Sequence, residues 1–153
     1  QNQIAIVHQK FNPPWGTVAN YMLKTIGRYS HVNDPAKSLE TIASKMNLSR
    51  FLKRKIKTLT PGELRWVSIS TMIAADTKVL FIDEYEQHLG NDQIKKLNNV
   101  LYRKINYDGV TLITSTQNKN YFNRLASVSI TLENGRITSL RSFSKKRDKN
   151  YKK

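Results

Sequence analysis

The sequence predicts an α/β protein built on a parallel sheet, with a layer of helices added near its start. Three observations predict it. Ile4–Val7, Val79–Ile82 and Val110–Thr114 are short, continuous apolar runs rich in β-branched residues, the pattern of buried parallel strands. Apolar residues at helical spacing fill the intervals between these runs. The order of elements is helices first, then strand, helix, strand, helix, strand, strand, which is the alternation of α/β folds.

Size and composition bound the reading. The chain has 153 residues, 39% of them hydrophobic, enough for one domain or most of one. Six glycines and four prolines exclude a low-complexity chain. There is no cysteine, which excludes a disulfide framework and a thiolate metal site and fits a reducing compartment. No apolar run approaches the ~20 residues of a membrane span. Gln1 is not Met, and Ile4–Val7 is too short for a signal-peptide core, so the chain reads as a segment of something longer. The net charge is +15. From Arg136 onward, Arg136, Arg141, Lys145, Lys146, Arg147, Lys149, Lys152 and Lys153 stand against Asp148, so 8 − 1 = +7 of that excess lies at the end. Residues 141–153 read as a basic tail, solvated or touching phosphates of RNA or anionic lipid.

Each element has a local cause. Asn12-Pro13-Pro14-Trp15-Gly16 breaks the first strand as a loop, and Thr17 caps a helix with Val18, Met22, Leu23 and Ile26 on one face. Asn33-Asp34-Pro35 opens a helix carrying Leu39, Ile42, Ala43 and Met46. Leu48–Ile56 is expected to form a short third helix. Pro61 starts a mostly buried helix to about Ala75, with Leu64, Val67, Ile69, Met72 and Ile73. Val79–Ile82 and Val110–Thr114 are expected as two central strands. Between them, Asp92–Tyr107 is amphipathic, with Ile94, Leu97, Val100, Leu101 and Ile105 inward, and Asp108-Gly109 ends it. A helix over Lys119–Ala126 follows, then strands Val128–Leu132 and Arg136–Leu140 around a Glu133-Asn134-Gly135 turn.

The chemistry concentrates at a few places. Val79–Ile82 runs directly into Asp83-Glu84, so two carboxylates stand at the C-terminal end of a buried strand, where open α/β sheets bind ligands. A phosphate-bound Mg²⁺ needs a rigidly held oxygen ligand, and a neighbouring carboxylate can orient or deprotonate an attacking water. Leu59-Thr60-Pro61-Gly62-Glu63 puts a hydroxyl and free backbone N–H groups at a helix N-terminus, an anion-binding arrangement. His8, His31 and His88 lack metal-ligand spacing and read as surface or core residues.

These stretches resemble, in order and spacing, the motifs of ABC-type ATPases. Leu59–Glu63 is similar to the signature Leu-Ser-Gly-Gly-Gln: Thr60 keeps the hydroxyl, Gly62 keeps one glycine, Pro61 replaces the other, and Glu63 replaces Gln. Ile4–Gln9 resembles the strand that ends in the Q-loop glutamine, with Gln9 in that place. Asp83-Glu84 and Leu89 match Asp-Glu-Pro-x-x-x-Leu-Asp, whereas Tyr85 stands for Pro and Gly90 for the last Asp. Thr111–Asn118 falls where the switch strand belongs, and Gln117 replaces its His. Leu132–Ile137 resembles the closing strand pair. The phosphate-binding P-loop is absent, since no glycine precedes a lysine, and the family places it before the Q-loop.

The resemblance implies a P-loop NTPase (RecA-like) parallel-sheet core with an ABC helical subdomain over about residues 12–75, core strands and helices over 76–140, and the tail at 141–153. It implies ATP and Mg²⁺ as ligands, with Asp83 and Gln9 toward the metal and Glu84 and Gln117 at the reacting phosphate. Gln9 also serves as a nucleotide contact, and Thr60, Pro61, Gly62 and Glu63 face a partner's nucleotide. The implied function is the ATP-binding subunit of an ABC transporter, a degenerate, slow site on the cytoplasmic face of a membrane, paired with a second ATPase domain and membrane-spanning subunits. Two alternatives share the motifs. One is a ribosome-associated ABC-F translation factor, suggested by Gln87-His88-Leu89 and Asn120–Arg124. The other is a catalytically silent partner in a heterodimer, suggested by Gly90 and Gln117.

Overall fold

The computed structural model describes residues 3–122 and 125–143. The chain divides into two compact units, Gln1–Asn118 and Lys119–Lys153. The first holds a three-stranded parallel sheet in the order β1 (Ile4–Val7), β2 (Val79–Ile82), β3 (Thr111–Thr114). The register pairs Ala5 with Leu80 and Leu112, and Val7 with Ile82 and Thr114. Strand period then puts Ala5, Val7, Leu80 and Ile82 on one face, all buried, and helix α3 (Pro61–Ala74) packs against β1 and β2. The opposite face carries Ile4 and Ile6 of β1 and Ile113 of β3, exposed by 56%, 44% and 48%. Only β2 is central. β3, expected as a second central strand, flanks it on one side among the described strands, and its residues are exposed or half-buried.

Helices α1 (Val18–Ile26) and α2 (Pro35–Lys45) form the added layer with α3. Thr17 and Asp34 cap them by accepting from Asn20 N–H and Lys37 N–H, as their positions predict. Val18, Met22 and Ile26 of α1 and Leu39, Ile42 and Ala43 of α2 are buried stripes on two helices that pack together. Each fully buried Ile, Leu or Met contributes about 2 kcal/mol of apolar transfer free energy. Trp66 Nε1 donates to Met46 C=O at 2.9 Å and fastens α3 to the end of α2.

The expected helix over Leu48–Ile56 does not form. Turns occupy residues 49–53 with a bend at 54, and a single 3-10 turn follows at Ile56–Thr58. The reason lies in where the backbone groups go. Leu52 and Arg54 carbonyls accept from Ala19 N–H and Val18 N–H, the free donors of the first turn of α1, and Ile56 N–H donates to Gly16 C=O. Ile56 N–H and Thr58 N–H, the i+4 donors for Leu52 and Arg54, are spent on Gly16 and Lys55, so no i→i+4 ladder closes over these carbonyls.

α3 is buried nearly all round, including Arg65, Ser68, Ser70 and Thr71. Ser70 and Thr71 satisfy their hydroxyls by donating to the carbonyls four residues back, both at 2.7 Å. α4 (Asn91–Asn106) buries Ile94, Leu97 and Leu101, with Val100 and Ile105 half-buried at the edge of the stripe. Only half a capping box opens it: Gln93 Oε1 accepts from Gly90 N–H, and Gly90 has no side chain to reciprocate.

The second unit has a 3-10 turn, Lys119–Phe122, where a longer helix to Ala126 is expected; residues 123 and 124 of that expectation lie outside the described residues. Strands β4 (Val128–Glu133) and β5 (Arg136–Ser142) pair antiparallel. Asn134 and Gly135 have φ of 50° and 74°, as a two-residue hairpin turn requires. Most of the basic tail, residues 144–153, lies outside the described residues.

The start of α3 generates a test. Thr60 Oγ1 accepts from Glu63 N–H, and Glu63 Oε2 accepts from Thr60 N–H at 2.9 Å, a complete capping box. The Glu63 carboxyl is held below the usual glutamate range, first by the Thr60 N–H and then by the Arg54 guanidinium. A depressed carboxyl pKa contributes stability that is present above the ordinary glutamate range and lost as pH falls through the depressed value. Thr60→Ala should cost about 1 kcal/mol in urea denaturation. Glu63→Gln should remove the part of the acid-side stability loss that this carboxylate contributes.

Candidate functional site

The site begins where β1 and β2 end side by side. Asp83 N–H donates to Val7 C=O at 3.1 Å, so the chain leaving β2 stays paired with the end of β1 and carries Asp83 and Glu84 beside Gln9. β3 ends at the same level and delivers Ser115. Ser115 Oγ donates to Asp83 Oδ1 and accepts from Glu84 N–H, both at 2.7 Å. One hydroxyl thus fixes one carboxylate and the backbone of the next residue. Glu84 has φ +41°, a left-handed conformation uncommon for a residue with a Cβ. Strain of this kind persists only where surrounding bonds hold it.

Glu84 Oε2 accepts from Gln9 Nε2 at 2.8 Å, and Glu84 Oε1 accepts from Gln117 Nε2 at 3.4 Å. Gln9, Asp83, Glu84 and Gln117, far apart in sequence, are therefore brought together. Gln117 is itself held by Glu86, whose Oε1 accepts from the backbone N–H of Gln117 and Asn118 and from Thr116 Oγ1. The carboxylates here are met by neutral amides, hydroxyls and backbone N–H groups, and the cation beside them, Arg65, hydrogen-bonds to carbonyls. This buried residue donates Nη1 to His8 C=O at 2.7 Å and Nη2 to Glu84 C=O at 3.0 Å and to Asp83 C=O.

The second expected group, Thr60, Pro61, Gly62 and Glu63, sits at the N-terminus of α3 and shares no hydrogen bond with the first group among the described residues. Thr60 and Glu63 serve the capping box, and Glu63 Oε1 also accepts from Arg54 at 2.8 Å. Pro61 occupies the first helical position, where no N–H is needed. Gly62 lies against the loop after Glu84: a Cβ there would stand 2.7 Å from His88 C=O. The glycine is thus required by a close approach within the chain, whatever it meets outside. His31 Nε2 lies 2.8 Å from Ala75 C=O and supports the end of α3, a structural role. An apolar cleft of about 370 Å³ opens in the helical layer between Leu23, Leu39, Ala43 and Leu52, away from every expected site residue.

Ser115, Glu86 and Arg65 were not assigned roles by sequence reasoning. Ser115 follows the β3 run as Asp83 follows that of β2, a levelling visible once parallel neighbours are assumed. Arg65 is the only charged residue between Glu63 and Asp76, an isolated charge in a helix otherwise apolar or weakly polar.

The parallel sheet and the helical layer have the architecture of the ATP-binding cassette, a P-loop NTPase fold, with the candidate site residues gathered at the strand ends. Known proteins agree. The chain is 34% identical over 90 residues to the cell division ATP-binding protein FtsE of Streptococcus pneumoniae, covering 56% of this chain and 39% of FtsE. It is 25% identical over 138 residues to the lipoprotein-releasing system ATP-binding protein LolD of Syntrophus aciditrophicus, covering 89% and 61%. Among solved structures, the dimeric ATP-binding cassette MJ0796 bound to ADP and Pi superposes with a TM-score of 0.78 at 23% identity, covering 92% of this chain and 62% of that one. The cassette cbiO1 of Clostridium perfringens gives 0.68 at 17%, covering 92% and 57%. No protein-family model matches. In sequence and fold the chain is thus similar to ABC-type ATP-binding proteins, and it spans 20% to 61% of the length of the curated relatives it matches.

Gly62→Ala should lower stability by about 1–3 kcal/mol, because the atom in the way is backbone and cannot swing aside. The measurement is the urea midpoint, with an unchanged slope expected. A variant as stable as the parent would show that the loop at His88 yields freely.

Proposed function

We propose that this chain belongs to the ATP-binding subunit of an ABC transporter, acting with a second ATPase domain and membrane-spanning subunits at the cytoplasmic face of a membrane. The single observation that carries the reading is the convergence of Gln9, Glu84 and Gln117 beside a Ser115-held Asp83. The curated relatives are named as ATP-binding proteins of cell division, lipoprotein release and cytochrome c biogenesis export, which supports the same class. No helix among the described residues is long and apolar enough to cross a membrane, so spanning segments would come from elsewhere. In this reading residues 12–75 are the helical subdomain and residues 76–140 complete the core.

The donor chemistry fits a nucleotide-bound Mg²⁺. No cluster of three or more His, Cys, Asp or Glu side chains converges among the described residues, and Mg²⁺ is commonly held by one or two carboxylates plus phosphate oxygens. Asp83 would be that carboxylate. Gln9 gives its NH₂ to Glu84, which leaves its amide oxygen for the cation or its water. The ion, when bound, neutralises charge on the β- and γ-phosphates. The chain's own residues do the rest: Glu84 orients and deprotonates the attacking water, Gln117 donates a hydrogen bond toward the γ-phosphate, and Thr60 and Gly62 present the α3 N-terminus to the partner's nucleotide.

One observation favours a slow or silent site. Gln117 Nε2 faces Glu84 Oε1, and a neutral amide cannot gain charge as the transition state develops. In the complete protein, Glu84→Gln should reduce hydrolysis by about a hundredfold or more while ATP binding persists. Steady-state turnover and a nucleotide-binding isotherm check both halves, and unchanged turnover would remove Glu84 from the mechanism. Gln117→His should raise a slow basal rate; a wild type already as fast as active cassettes would contradict the slow-site reading.

A further inference from the structure

Arg65 stands between the two groups of site residues, and no role described so far uses it. An internal guanidinium is costly unless its charge and its donors are answered. Arg65 is 5% exposed, and its answer is specific: three carbonyls, those of His8, Asp83 and Glu84, from the ends of two different strands. Its Nε is buried without a hydrogen-bond partner among the described residues, so the bonds gather on the fork of the two terminal nitrogens. Burial lowers the guanidinium pKa, and the charges of Asp83, Glu84 and Glu86 oppose that shift. The group remains cationic.

The three carbonyls matter because of what their residues carry. His8 precedes Gln9, and Asp83 and Glu84 bear the carboxylates. Anchoring the backbone at these points fixes where the side chains depart. Glu84, with φ +41°, has an unusual backbone that needs such an anchor, and its carboxylate meets Gln9 at 2.8 Å. Arg65 lies on α3 just beyond its first turn, which begins with the Thr60 cap and contains Gly62 against His88 C=O. A shift or rotation of α3 therefore reaches both strand ends through one side chain. A lysine would supply the charge as a point and could not span these acceptors as a fork does.

We propose that Arg65 is a positioning residue that couples the N-terminus of α3 to the Glu84 carboxylate, so that contact made at Thr60 and Gly62 sets the geometry of Glu84 against Gln9. The proposal rests on the ATPase reading of the site. Its test uses Arg65→Lys and Arg65→Gln in the complete protein, each checked for folding by circular dichroism and thermal melting. For Mg-ATP hydrolysis we expect kcat to fall about tenfold or more with KM within about threefold of the parent. In a Glu84→Gln background, Arg65→Lys should add less than about a twofold further loss, because it acts through that carboxylate. The side-chain amide resonances of Gln9 in ¹⁵N-labelled protein should shift in Arg65→Lys. Fully additive losses, a KM effect without a kcat effect, or an unmoved Gln9 amide would each overturn the proposal. Collapse of the fold in both variants would also overturn it, by making Arg65 a folding residue. If Glu84→Gln leaves hydrolysis intact, the ATPase reading fails, and the Gln9 resonance still decides whether the latch exists.

Discussion

Burial of α3 on nearly every side is the constraint from which the arrangement follows. A helix of this kind cannot lie on a surface. It needs the sheet on one flank and other helices on the other, and β1, β2, α1 and α2 supply them. Most of its polar groups survive there on internal partners: Ser70 and Thr71 return to their own carbonyls, Trp66 reaches Met46, and the terminal nitrogens of Arg65 reach the strand ends. The helix therefore separates the layers and also joins them. Its N-terminus carries one half of the candidate chemistry and its fifth residue grips the other half.

Electrostatics at the strand ends are unusual for a chain of net charge +15. Asp83, Glu84 and Glu86 cluster there, and the only cation hydrogen-bonded to that cluster among the described residues is Arg65, on the carbonyl side. Toward the open side the carboxylates meet the amides of Gln9 and Gln117, the hydroxyls of Ser115 and Thr116 and the loop N–H groups. Hydrogen bonds of this kind orient a carboxylate without cancelling its charge, so the field remains available to a cation arriving with phosphates.

How far the sequence could be read depended on the range of the forces involved. β1, the caps at Thr17, Asp34 and Thr60, and the Asn134-Gly135 turn are written in a few adjacent residues and were legible to within one or two positions. The stretch Leu48–Ile56 was misread because its apolar spacing is helical while its carbonyls serve another element, a non-local fact. Gln9, Asp83, Glu84 and Gln117 could be named from motif order, and their convergence required the register of three strands. Arg65 and Ser115 were harder because their partners are mostly backbone atoms, which leave no side-chain pattern to recognise.

The uncovered face of the parallel sheet has a colloidal consequence. Parallel sheets normally have both faces packed, yet Ile4, Ile6 and Ile113 stand open to water on one side of this one. Two copies meeting there would remove apolar area from water, and the large positive charge of each copy holds them apart. Added salt shortens the range of that repulsion and leaves the apolar attraction in place. In this stretch of chain, charge repulsion and apolar attraction therefore oppose each other, and rising ionic strength tips the balance toward clustering.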